Sequence, residues 1–202
     1  MANFFSSYRS IGGHISNAYA AYGGVMEILR SPYLHISLLL GLSSLAWNAK
    51  SWENHITSIS PSLLGFTLAG YTVFIASVSG RLLKGLIKAK ASDGHSYFQK
   101  VNSAFFHFIF VQCVATLYAI TFPALTSFSL PLLLGGLPFA AQFNSAGYCL
   151  LNFLGWVLLF YSILVVVAVL IWIYRIINLN EQAVLKDLKD EGSGADPKTP
   201  AN

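Results

Sequence analysis

Four stretches of the chain are long, apolar and free of Asp, Glu, Lys and Arg: residues 31–49, 61–80, 104–122 and 148–174. At 1.5 Å rise per residue, about 20 such residues form a helix that crosses a hydrocarbon core roughly 30 Å thick. The second stretch, PSLLGFTLAGYTVFIASVSG, carries the clearest internal pattern. Its Ser62, Gly65, Ala69, Thr72, Ala76 and Ser79 recur at spacings of 3, 4, 3, 4 and 3. These small or weakly polar residues therefore share one stripe of a helix, with Leu64, Leu68, Phe74, Ile75 and Val78 elsewhere around it. Lipid provides no hydrophobic drive between helices, so small stripes serve close backbone packing. The same stripe can also line a narrow polar path, and the pattern leaves both roles open. Pro61 suits the first helical position, where a missing N–H costs nothing.

The segments between these stretches have their own periodicity. In residues 1–30, Ile15, Tyr19, Tyr22 and Met26 recur at helical spacing, which predicts an amphipathic helix at the membrane surface or under the bundle, weakened at Gly23-Gly24. Ser31 and Pro32 form a cap and first turn for the first span. Trp47 and Trp52 fall where an aromatic belt belongs. After residue 80, Leu82, Leu83, Leu86 and Ile87 lie opposite Lys84, Lys88 and Lys90, so the second helix is expected to continue into the interface with its lysines outward. Asp93-Gly94 marks a turn. The third span is expected to end at Pro123. It holds His107, Gln112 and Thr116, of which His107 reads as interfacial and Gln112 as the better candidate for an inter-helix hydrogen bond. Residues 130–137 are too apolar for a free loop and too short for a span, and read as a re-entrant or interfacial cap. The fourth span exceeds the core thickness. Residues 176–190 continue helical, and the tail beyond reads as disordered.

Composition makes the membrane assignment firm. The 202 residues are 55% hydrophobic and only 10% charged, with a mean hydropathy of +0.60. Soluble domains carry about 25% charged residues. The expected fold is an all-α integral membrane four-helix bundle (31–175) with an N-terminal amphipathic helix (1–30) and a C-terminal helical extension and tail (176–202). The net charge of +4 follows from topology. Eleven of the twelve Lys and Arg residues lie in the N-terminal segment, in 81–100 or after 174, and only Lys50 lies on the other side. The positive-inside rule then puts both termini and the 81–100 connection in the cytoplasm. The N-terminus lacks a signal-peptide pattern, so the first span is expected to direct insertion. No Asn-x-Ser/Thr site occurs, in keeping with a bacterial inner membrane. Cys113 and Cys149 read as buried, unpaired thiols acting as small hydrophobes.

The four spans lack the membrane-embedded charge on which proton pumps, ion-coupled carriers and voltage sensors depend. No inverted repeat of broken helices points to a carrier. The chain has no phosphate loop, no H-E-x-x-H and no C-x-x-C. His55 and Ser60 come with no acid or nucleophile elbow. The expectation is a non-catalytic protein with no metal and no cofactor. Three readings stay open: a homo-oligomeric channel whose path runs between subunits, lined by the stripe and Gln112; a scaffold or partner subunit docking through that stripe; and a small carrier. The cationic cluster Arg81, Lys84, Lys88, Lys90 and Lys100 could attract an anionic ligand, or simply meet lipid headgroups. Residues 59–71, ISPSLLGFTLAGY, resemble a pattern in small bacterial four-span proteins, some of them similar to membrane effectors of anti-phage defence such as the channel component of Hailong-type systems. That resemblance implies a homo-oligomeric channel held closed until infection, with a nucleotidyltransferase partner whose nucleic-acid product controls it.

Overall fold

The computed structural model describes residues 2–46, 51–78, 80–127 and 138–193. Within them the chain forms seven helices and no strand. They are α1 (Ala2–Tyr22), α2 (Gly24–Arg30), α3 (Pro32–Ala46), α4 (Trp52–Ser77), α5 (Gly80–Lys88), α6 (Tyr97–Ser127) and α7 (Pro138–Ser193). Three of them are long and apolar enough to cross a membrane: α4, α6 over Tyr97–Leu125 and α7 over Ser145–Leu179. The 15-residue α3 reaches that length only together with α2, from which it is bent by 56°. Lys50 and the expected cap at 130–137 lie outside the described residues, as does the tail from 194.

Two of the expected helix boundaries are corrected by prolines that do not act as punctuation. Pro61 sits inside α4, which begins at Trp52, nine residues earlier in the chain. Trp52, Ile56 and Ser60 follow one another at helical spacing and are all buried, so tertiary packing extends the helix through the proline. In the turn before it, Thr57 Oγ1 donates to Glu53 O at 2.9 Å and Ser58 Oγ to Asn54 O at 2.7 Å. Membrane helices tolerate an interior proline where neighbouring helices support them. Pro123 likewise lies within α6, which runs on to Ser127. The long N-terminal helix is instead two helices, because Gly23 and Gly24 both take left-handed φ values, 118° and 75°. The second span does not run on into the interface either. It stops at Ser77, and α5 is a separate amphipathic helix entered through Gly80 at φ 56°. Residues 176–190 do continue α7 without a break.

The start of α6 is held by a reciprocal cap. Gln99 N–H donates to Ser96 Oγ at 3.2 Å, and Ser96 N–H donates to Gln99 Oε1 at 3.0 Å. That pair satisfies two of the N–H groups a helix start leaves unpaired. The long helices alternate in direction. One cluster joins Phe74 near the end of α4, Phe105 and Phe108 near the start of α6, and Val165, Val169 and Ile176 late in α7. A second joins Trp52 and Ile56 at the start of α4, Ala119 and Phe122 late in α6, and Trp156 and Leu159 earlier in α7. α4 and α7 are therefore parallel to each other and antiparallel to α6. Glycine sets the approach of the helices to α7. A Cβ at Gly155 would lie 2.0 Å from the Trp52 ring, one at Gly41 2.7 Å from Val157, and one at Gly70 2.9 Å from Val169 and Ile173.

Gly155→Ala should therefore displace Trp52 and cost about 1–3 kcal/mol or more, as overpacked cores do. Gly147→Ala, where a Cβ meets nothing within 4 Å, is the control and should be neutral or slightly stabilising. Thermal unfolding of both variants in the same detergent measures the difference, and equal midpoints would contradict the packing.

Candidate functional site

α4 carries small residues on two opposite sides. Its buried side is Trp52, Ile56, Ser60, Thr67, Gly70 and Phe74. Ser62, Gly65, Ala69, Thr72 and Ala76 are all exposed, and a Cβ at Gly65 would meet nothing within 4 Å. Ser79 lies outside the described residues. The two rows differ in phase by two residues, or roughly 200° around the helix. The stripe is thus an outer surface, flanked by the exposed Phe66, Leu68 and Val73, and takes no part in packing within one chain.

The polar residues of α6 point inward and bind other helices. Gln112, only 1% exposed, donates from Nε2 to Thr67 Oγ1 at 2.9 Å. One α-helical turn further along, Thr116 Oγ1 is hydrogen-bonded to Ser60 Oγ and donates to Gln112 O at 2.7 Å. Gln112 is accordingly an inter-helix bond, and it sits on the opposite side of α4 from the stripe. The crevice bounded by Ser60, Gln112 and Ser162 is too narrow for a water molecule. His107 is buried among the helices, only 2% exposed. Its Nε2 lies 2.9 Å from the Tyr161 hydroxyl and its Nδ1 3.1 Å from that of Tyr19, while the Tyr22 ring packs 4.8 Å away. A neutral imidazole offers one donor and one acceptor, and hydroxyls can complement both. This bond set ties α1 to α6 and α7. The periodicity of α1 marked Tyr19 and Tyr22, but nothing in the sequence named their partner. Cys113 and Cys149 correct the expectation of buried thiols: both are free and exposed on the outer surface.

The cationic cluster separates into parts. Leu82, Leu83 and Leu86 of α5 pack against the core, which turns Lys84 and Lys88 outward on one face. Arg81 belongs to the same helix, with its side chain outside the described residues. Lys90 is exposed in the turn that follows, where Ala91 N–H donates to His95 O at 2.9 Å and Gly94 takes φ 83°. Lys100 is different: its Nζ lies 2.8 Å from Asp93 Oδ2. The hydrogen bond from Lys100 holds the Asp93 carboxyl below its usual range. At neutral pH Lys100 is therefore partly neutralised, whereas Lys84, Lys88 and Lys90 make no ion pair among the described residues.

A groove of about 490 Å³ opens at the same end of the molecule, between the α2–α3 bend, α6 and α7. The 56° bend between α2 and α3 lies at this groove, with Arg30, Ser31 and Pro32 in its lining. Its floor includes Ala104, Phe108 and Val165, and its rim includes Arg30, Lys100 and Arg175, with Glu27 nearby. Tyr22 also lines it, with a phenol pushed up to about 12 by burial and then by Glu27, so it remains a hydrogen-bond donor at neutral pH. Arg30 and Arg175 are 145 positions apart in the sequence, and no spacing rule links them. Among the described residues no three His, Cys, Asp or Glu side chains converge as metal ligands. No protein-family model, curated protein or solved structure matches the chain.

A double-mutant cycle tests the α4–α6 bond. Thr67→Val alone leaves the buried Gln112 amide unpaired and should cost about 1–3 kcal/mol; Gln112→Leu, which leaves Thr67 its bond to Leu63 O, should cost less, and the double variant should lose less than the sum. Strictly additive losses in thermal or denaturant unfolding would show that the two side chains do not interact.

Proposed function

We propose that the protein is a four-span bacterial inner-membrane protein with cytoplasmic termini, which assembles into a homo-oligomer and conducts ions along an axis between its copies. The carrying observation is the outward stripe of α4. The helix already buries Ser60, Thr67 and Gly70 among the larger Trp52, Ile56 and Phe74, yet a row made only of Ser, Gly, Ala and Thr lies on the outside. An isolated helix facing lipid has no use for such a row, whereas a second helix packs closely on it. The closed crevice beside Gln112 supports a path between chains rather than through one. The stripe is then the lining or the assembly seam, and Gln112 stabilises each subunit. The bent α2–α3 pair is the first span in this reading, ahead of α4, α6 and α7, and the orientation follows from charge.

Gating by an anionic nucleotide or oligonucleotide, made by a nucleotidyltransferase partner, rests on the resemblance of residues 59–71 and on the outward Lys84, Lys88 and Lys90. Repeated around an axis, these lysines would concentrate positive charge at one mouth. A non-catalytic scaffold role is favoured by a different feature: Leu179, Val184 and Leu185 on the extension of α7 are about half exposed and offer an apolar surface to a partner.

Purified protein reconstituted alone in liposomes should release trapped ions. Gly65→Leu or Ala69→Leu should abolish release and assembly while the variant remains folded. A fully active Leu variant, or a wild type that is monomeric in lipid, would overturn the channel reading. Changing Lys84, Lys88 and Lys90 together to Gln should remove the response to an added single-stranded oligonucleotide and flatten the salt dependence of binding by about 0.7 per lost phosphate contact. Unchanged gating and salt slope would exclude the lysines as the ligand site.

A further inference from the structure

The groove at the α2–α3 bend joins a cationic rim to an apolar floor. Arg30 ends α2, Arg175 lies on α7 and Lys100 lies near the start of α6, so three separate helices bring guanidinium or ammonium groups to one opening. With Glu27 the lining carries three cations against one carboxylate, and Lys100 is already bound to Asp93. Arg30 and Arg175 make no ion pair among the described residues, which leaves them as the uncommitted anion-binding groups. The Tyr22 and Tyr33 rings and Trp172 form walls of the amphipathic kind that concentrates at membrane interfaces.

The apolar side of the groove continues sideways. Ile171 belongs to the lining and is also exposed, in register along α7 with the exposed Ile163, Val167 and Tyr174. A ligand with a negative head among the arginines could therefore extend an aliphatic chain along that row without leaving apolar surface. A small soluble anion would use only the rim. The volume falls in the range of small-ligand sites, about 300–1,000 Å³. It suits a headgroup and glycerol unit, with acyl chains running outside along α7.

We propose that this groove is a binding site for an anionic phospholipid, its phosphate held by Arg30 and Arg175 and its acyl chains laid along the Ile171 row of α7. Occupation would fill the wedge between α2 and α7 and so brace the bend through which α1 and α2 connect to the bundle. This inference needs membrane residence but neither conduction nor self-assembly.

Native mass spectrometry of the full chain in detergent tests it, with thermal unfolding as a second readout. Dioleoyl phosphatidylglycerol should give retained adducts and raise the unfolding midpoint; dioleoyl phosphatidylcholine, glycerol 3-phosphate and inorganic phosphate should do neither. Arg30→Gln with Arg175→Gln should reduce the preference for phosphatidylglycerol over phosphatidylcholine roughly 30-fold, at about 1 kcal/mol per cation. Lys189→Gln, exposed on the extension of α7 and outside the groove, should leave it unchanged. Equal retention of the two lipids by wild type would overturn the proposal, as would full preference in a folded double-Gln variant. Stabilisation by glycerol 3-phosphate or inorganic phosphate equal to that by phosphatidylglycerol would assign the rim to soluble anions and also overturn it. If the double variant does not fold, the wild-type ligand series alone decides.

Discussion

The seating of Trp52 against Gly155 sets the spacing on which the rest of the helical arrangement depends. The indole is fully buried, stacks on Tyr118 at 5.2 Å and meets Phe122 edge-on at 4.7 Å. No side chain larger than hydrogen fits beneath it on α7. Gly70 repeats the arrangement near the other end of α4, and Gly41 does so between α3 and α7. In a membrane such contacts contribute directly, because dispersion between closely packed surfaces replaces the hydrophobic drive available in water. The glycines of α3 and α4 that approach α7 fix which side of each helix faces inward, and therefore which side is left for anything else.

That choice gives the outward stripe of α4 its significance. Two rows of small residues compete for the interior. The row containing Ser60, Thr67 and Gly70 occupies it because Thr67 and Ser60 find partners on Gln112 and Thr116, and Gly70 admits Val169 and Ile173. The other row is exposed among the described residues. Polar satisfaction and close approach thus act on the same face, and the proposed assembly surface is what remains.

The charged end follows different physics. Lys84 and Lys88 are turned outward by the leucines of an amphipathic helix. Lys100 is drawn into a local pair by the Asp93 turn. Arg30 and Arg175 meet across a groove because a left-handed Gly-Gly break and a 56° bend redirect the chain before α3. The basic cluster therefore divides into an outward face and a paired Lys100, while the rim above the apolar floor draws Arg30 and Arg175 from outside the cluster.

The sequence by itself determined the all-helical class, the apolar character of α4, α6 and α7, the placement of Gln112 between helices and the amphipathic face around Lys84 and Lys88. These depend on periodicity and composition, which act within one helix. It read Pro61 and Pro123 as helix ends, because intrinsic propensity is local, whereas Trp52, Ile56 and Phe122 gain their burial from helices far along the chain. It could not say which side of α4 faces inward, since small residues recur on both sides. Only the tertiary structure decided between them, through hydrogen-bond partners and glycine contacts supplied by α6 and α7. The enclosure of His107 by Tyr19 and Tyr161, and the meeting of Arg30 with Arg175, belong to the same class: contacts between distant residues that no local pattern encodes.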